Sequence, residues 1–176
     1  MHPDLMRKID ALAGPPLCFI LSLRRALLEK IMPRRRGPLT EVRRMLFVKP
    51  AEMGSTVLMY SMLKRARELW PGVEFHFLVF AENTAAVEML GLVPPENVHC
   101  LKTDNFKTFA VDCLAKLFEL RRLKFDVAID LEFFSRASAI LTELSGAKST
   151  CGFDRFTMEG LYKGSFLSHP VQYNPH

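Results

Sequence analysis

The chain has 176 residues, 49% hydrophobic and 24% charged, with mean hydropathy +0.08 and a net charge of +5. This is one domain's worth of chain, enough for one substantial core; the apolar share excludes disorder, and no apolar run approaches the roughly 18–20 residues of a membrane span. The charge is local: residues 1–50 hold eleven Lys/Arg against four Asp/Glu, a net of +7, so the remainder is net −2, which suits an anionic membrane surface at least as well as nucleic acid, and no nucleic-acid partner is expected.

Residues 1–43 read as a basic amphipathic extension and linker. Gly14-Pro15-Pro16 is expected to break the chain, with a helix following from Leu17 to Met32. Leu17, Ile20, Leu21, Leu27, Leu28 and Ile31 form its apolar stripe, interrupted by Arg24, while Ser22, Arg25 and Glu29 lie opposite. The apolar stretch Leu17–Leu23 is short and no small-residue cleavage pattern follows, so no cleaved signal is expected. Pro33 through Pro38, with three arginines and a glycine, reads as a linker.

A regular alternation starts at Arg44. Met45–Val48 is a continuous apolar run, as a strand covered on both faces requires. Loop Pro50–Gly54 leads into a helix over Ser55–Leu69. Then come a strand at Phe75–Phe80, a helix over Glu82–Leu90 ending at Gly91, and a short strand at Val98–Leu101. A long helix over Phe106–Leu123 puts Phe109, Cys113, Leu117 and Leu120 on one side. Val127–Leu131 is a fourth strand, Ser135–Leu144 a helix ending at Gly146, and Thr150–Phe153 a fifth strand. Strand and helix in turn, with short connections, predict an α/β fold: a Rossmann-like, mostly parallel sheet with helices on both faces.

Ligands of such sheets bind outside the carboxyl ends of the strands, which selects three segments. In the first, Lys49 to Thr56, Gly54-Ser55-Thr56 opens a helix, but the glycine and lysine of a phosphate loop are missing, and no GxGxxG stands there. The simpler reading is that Gly54 permits a tight turn and Ser55 caps the helix. The second holds Asp130, Glu132 and Arg136. Asp130 and Glu132 share a strand face, yet no third ligand accompanies them, so no metal site is expected. A cation at a helix start is unfavourable, which raises the case for an anionic ligand at Arg136. The third, with Asp154, Arg155 and Glu159, has the composition of a charged surface loop. Cys18, Cys100, Cys113 and Cys151 form no CxxC pair and read as free thiols, and His76 reads as a packed strand residue.

In register, these segments resemble glycosyltransferase family 9, the heptosyltransferase-like family of lipopolysaccharide assembly. The resemblance rests on Leu46-Phe47-Val48-Lys49 followed by Met53-Gly54, on Phe125 to Glu132 (FDVAIDLE), on Leu144 to Lys148 (LSGAK), and on Gly152-Phe153-Asp154-Arg155 with Glu159-Gly160-Leu161. It covers residues 43–176. It implies the N-terminal, acceptor-side half of an inverting, metal-free GT-B enzyme, with no cofactor of its own and with the nucleotide-sugar donor bound by a second domain that the chain lacks. It further implies a lipid-linked saccharide as acceptor and a cytoplasmic, peripheral position at the inner membrane. Lys49, Gly54, Glu132, Arg136, Asp154, Arg155 and Glu159 are then the acceptor-binding residues. The family carries an aspartate base directly after Met-Gly, where this sequence has Ser55. Either Glu52 of the same loop takes the proton, another base does, or the chemistry differs. A non-catalytic binding module of the same fold is the alternative.

Overall fold

The computed structural model describes residues 3–31, 39–51, 53–133, 135–153 and 162–172. The expected linker Pro33–Pro38 and the candidate residues Glu52, Asp154, Arg155 and Glu159 lie outside the described residues. In chain order the elements are α1 (Pro3–Ile31), β1 (Arg44–Val48), α2 (Met53–Leu58), α3 (Tyr60–Leu69), β2 (Glu74–Phe80), α4 (Thr84–Glu88), β3 (Val98–Leu101), α5 (Phe106–Leu123), β4 (Val127–Asp130), α6 (Arg136–Leu144), β5 (Ser149–Phe153) and β6 (His169–Val171).

The six strands form one parallel sheet in the order β3-β2-β1-β4-β5-β6. The chain builds outward from β1 to β3, then returns to place β4 on the other side of β1. Phe47 is thus in register with Phe77 on one flank and Ile129 on the other. This reversal between β1 and β4 is a topological switch point, where the connections leave the sheet in opposite directions and open a crevice.

Both faces are covered, as the continuous apolar strands require. On one face Phe47, Phe75, Phe77 and Val79 meet Met59, Leu63 and Val87 from the α2–α4 region. Phe47 stacks on Phe77 at 5.1 Å and meets Phe75 edge-on at 5.5 Å. On the other, Leu46, Leu78, Leu101 and Ala128 pack against Leu120 of α5 and Leu141 of α6. Phe109, Cys113 and Leu117 line the inner side of α5, as their spacing predicts. Asn105 caps α5 by accepting from the Thr108 amide at 3.0 Å.

The local structure departs from the expectations at several places. The helix over Ser55–Leu69 is two helices meeting at Met59, and the one over Glu82–Leu90 is a 3-10 turn followed by the five residues of α4. The strand β6 carries no sequence signal: it has three residues, one a proline, at the sheet edge where a missing N–H is tolerated. Most consequential, Gly14-Pro15-Pro16 does not break the chain, and α1 runs through it for 29 residues. Interior prolines cost helical hydrogen bonds, but α1 is held to the domain on both sides of them, by Asp10 before and by Cys18, Leu21 and Ser22 after. Continuity also bears on the expectation about membrane spans: by length and composition alone, Asp4–Ile31 is long and apolar enough to cross a membrane, a test that a core helix or a signal sequence also passes.

Candidate functional site

At the switch point the ends of β1 and β4 are tied together by charge. Lys49, just after β1, is buried and places Nζ 3.0 Å from Glu132 Oε1. The same oxygen accepts a hydrogen bond from the Ala51 amide at 2.9 Å. Glu132 therefore fixes the loop after β1 from the strand end opposite, and Lys49 and Glu132, both picked from the sequence, are brought into direct contact.

Asp130 belongs to a second, deeper pair. Its Oδ2 accepts from Lys163 Nζ at 2.9 Å, and both side chains are fully buried. Lys163 also donates to the Glu132 carbonyl at 2.6 Å, and Asp130 Oδ1 accepts from the Glu132 amide at 3.1 Å. Burial pushes the Asp130 carboxyl above its ordinary value, and the ammonium of Lys163 opposes that push. Asp130 and Glu132 thus each face a lysine of their own. Nothing in the local sequence marks Lys163, because its partner Asp130 stands 33 residues earlier in the chain.

Arg136 opens α6 and is buried. The anion that answers it is the chain's own Asp10, from α1. Asp10 Oδ1 accepts from the backbone amides of Arg136 at 3.0 Å and Ala137 at 2.8 Å, and Oδ2 accepts from Arg136 Nη1 at 3.1 Å. Arg136 Nε donates to the Tyr162 carbonyl at 2.8 Å. Ser135 completes the cap by accepting from the Ser138 amide at 3.2 Å. A helix start gathers negative charge, and here a carboxylate more than a hundred residues away in sequence supplies it. The side chain of Arg136 lies across Gly14, whose absent Cβ would stand 2.5 Å from Arg136 Cδ.

Gly54 and Ser55 lie inside α2. Among the described residues, no heavy atom beyond the helix's own backbone and the chain neighbours stands within 4 Å of a Cβ built on Gly54, and its φ is not positive, so neither packing against them nor a tight turn demands glycine there. Ser55 is the third residue of α2 and is not its cap, correcting that expectation. Beneath α1, at the ends of β1, β2 and β4, lies a pocket of about 640 Å³. Its walls include Ala51, Phe80, Glu132, Phe133 and Arg136 from the sheet side, and Met6, Arg7 and Leu17 from α1. The pocket is mostly apolar, with charge at Glu132, Arg136, Asp10 and Arg7, which suits an amphiphilic or saccharide ligand. The contribution of α1 was invisible in the sequence, where residues 1–43 read as an extension.

Among the described residues no group of three or more His, Cys, Asp or Glu is arranged to hold a metal. All four cysteines are free thiols, and burial pushes Cys18 up to about 11 and Cys113 up to about 12, so both remain protonated and inert. His76 is packed, as expected, but not alone: its Nδ1 lies 3.1 Å from His99 Nε2, and His99 Nδ1 lies 2.9 Å from Glu119.

No family model and no curated protein matches the sequence. Solved structures do match. The E. coli heptosyltransferase WaaC with ADP-2-deoxy-2-fluoro heptose is 19% identical, with a TM-score of 0.61, over 76% of this chain and 44% of that one. The E. coli ADP-heptose LPS heptosyltransferase II is 16% identical, with a TM-score of 0.53, over 70% and 33%. A glycosyl transferase family 9 protein from Veillonella parvula is 14% identical, with a TM-score of 0.57, over 80% and 38%. The chain therefore spans less than half the length of each structure, and what it shares with them at these identities is the fold. They are transferases of the kind its motifs resemble.

Proposed function

We propose that this chain is the acceptor-binding half of an inverting GT-B glycosyltransferase that moves a heptose or another sugar from a nucleotide-sugar donor to a lipopolysaccharide-type acceptor. The observation that carries the reading is the pocket at the β1/β4 switch point, in a sheet with the fold of heptosyltransferases. Acceptor hydroxyls would meet Glu132, whose carboxylate is held in place by Lys49. In the reaction the acceptor oxygen forms a bond to the anomeric carbon, the nucleotide diphosphate leaves with its bonding pair, and a base removes the hydroxyl proton. Glu52, in the loop after β1, is the carboxylate assigned that proton. Ser55 is assigned a hydrogen-bonding role, since a neutral hydroxyl cannot take a proton unaided. The donor binds outside this chain's own pocket, and the protein works at the cytoplasmic face of the inner membrane.

The test is titration calorimetry of the chain with a phosphorylated core saccharide and, separately, with a nucleotide sugar. The saccharide binds, and Glu132→Gln or Phe133→Ala weakens it about tenfold or more, the cost of losing one well-placed hydrogen bond or apolar wall. Tight binding of the nucleotide sugar with none of the saccharide would sink the assignment. In a form that also carries a donor-binding domain, Glu52→Gln lowers kcat by about a hundred- to ten-thousand-fold, and Ser55→Ala does far less. A second reading, a non-catalytic binding module of the same fold, is favoured by Ser55 standing where the family carries its aspartate. It keeps the saccharide titration and loses the effect of Glu52→Gln.

A further inference from the structure

We infer that α1 lies flat on an anionic lipid surface, seated by the face it turns away from the domain, and that it brings the mouth of the pocket to that surface. The observation is an apolar face of α1 that the domain leaves uncovered. An amphipathic helix of a globular domain buries its apolar stripe, but α1 buries only Cys18 and Leu21 against Ala139 and Phe166 and otherwise directs polar groups inward. Asp10 caps α6, and Ser22 Oγ accepts from the Ser165 amide at 2.9 Å. Arg25 is largely buried beside Glu29, 3.5 Å away.

At 3.6 residues per turn, the opposite side carries Leu12, Phe19, Leu23, Leu27 and Ile31, exposed by 80, 61, 52, 56 and 77%. Of the apolar stripe named from the sequence, Leu27 and Ile31 lie on this face, whereas Leu21 is turned inward and buried. The sheet offers this face no place, since both sheet faces are already covered.

The charges select the occupant. Lys8, Arg24 and Lys30 are exposed along the stripe and stand where headgroups meet a helix lying in the interface. Self-pairing of two copies would bring these cations together, whereas an anionic headgroup layer neutralises them. Spanning is disfavoured although the length suffices, because it would strip Asp10, Ser22 and Arg25 of their partners and place them in hydrocarbon. Leu17 lies between stripe and pocket and is both exposed and part of the pocket wall. An amphiphile in the bilayer thus has a short path by which its polar head enters the pocket while its chains stay in the membrane. The seating follows from α1 alone; only this last step rests on the transferase reading.

The experiment is co-sedimentation of the full chain with phosphatidylcholine vesicles, with and without phosphatidylglycerol. The chain sediments with the anionic vesicles. Arg24→Ala/Lys30→Ala weakens this about thirtyfold, at about 1 kcal/mol for each cation. Leu23→Asp/Leu27→Asp abolishes it, and the unchanged circular dichroism melt of that variant shows that the fold persists. The proposal is overturned if the chain stays in the supernatant, if Leu23→Asp/Leu27→Asp still binds, if binding resists alkaline carbonate as a spanning helix does, or if light scattering finds a dimer that this variant dissolves. A further arm adds a lipid-linked phosphorylated saccharide to the anionic vesicles, which raises affinity about tenfold in a manner removed by Phe133→Ala. Loss of that gain alone refutes the lipid-linked acceptor and leaves the seating intact.

Discussion

The buried pair Asp130–Lys163 places two charges where water cannot reach either. Removing one partner of such a pair leaves an uncompensated charge, so Lys163→Met is expected to cost about 3–5 kcal/mol in a urea melt. Asp130→Leu/Lys163→Met should recover most of that loss, because the hole is refilled and no charge is left behind. A second residue-scale effect is pH-dependent. Burial, helped by His99 alongside, pushes His76 down to about 4. The unfolded chain takes up a proton near pH 6.5 and the folded one only near pH 4, so the contribution of His76 is complete above about 6.5 and is lost as pH falls through that interval. His99 is shifted the same way, chiefly by burial and against the opposing pull of Glu119. Melts from pH 7 to pH 4 should show a falling Tm, and His76→Phe should flatten the slope.

Among the elements, α1 and β5 each carry one residue whose replacement tests how they are seated. Asp10 bridges α1 and the start of α6, and Asp10→Ala removes the side-chain acceptor for two backbone amides and the partner of Arg136. A lost cap of this kind costs about 1–2 kcal/mol. Limited proteolysis within residues 3–31 should accelerate in this variant while cleavage in the sheet does not. In β5, a Cβ on Gly152 would stand 2.8 Å from Asp130 Cβ and 3.0 Å from Leu167 Cδ1. Gly152→Ala should therefore push β5 off β4 and lower stability by about 1–3 kcal/mol in the same melt.

For the molecule as a whole, α1 does two jobs. It packs Cys18 and Leu21 against Ala139 and Phe166, and it walls the pocket. A chain starting at Glu41 keeps both sheet cores, so its far-UV spectrum should show the sheet intact. Its Tm should fall by about 5–10 °C for the loss of that smaller cluster, and its saccharide affinity should fall with the missing wall. A pocket that bound equally well without α1 would place the ligand elsewhere on the sheet.

The order and type of the elements from Arg44 to Phe153 were legible in the sequence, because each is a local pattern: continuous apolar strands, a stripe of period 3.6 along α5, and glycines at helix ends. These patterns report which local backbone geometry buries apolar surface, and five of the six strands follow from them. The place of Lys49 and Glu132 at the crevice was also legible, because strand ends in an open α/β sheet mark it. What only the tertiary structure decided is which distant groups meet. Strand order, the pairing of Lys163 with Asp130 and the three residues of β6 depend on crossovers that carry no local signal. The orientation of α1 is the clearest case. Periodicity divides that helix into a polar and an apolar side, but which side turns inward depends on the partners there. The open amides at the start of α6, the guanidinium of Arg136 and the Ser165 amide exist as a surface only once the domain has folded, and they take Asp10 and Ser22, with Cys18 and Leu21 packed beside them.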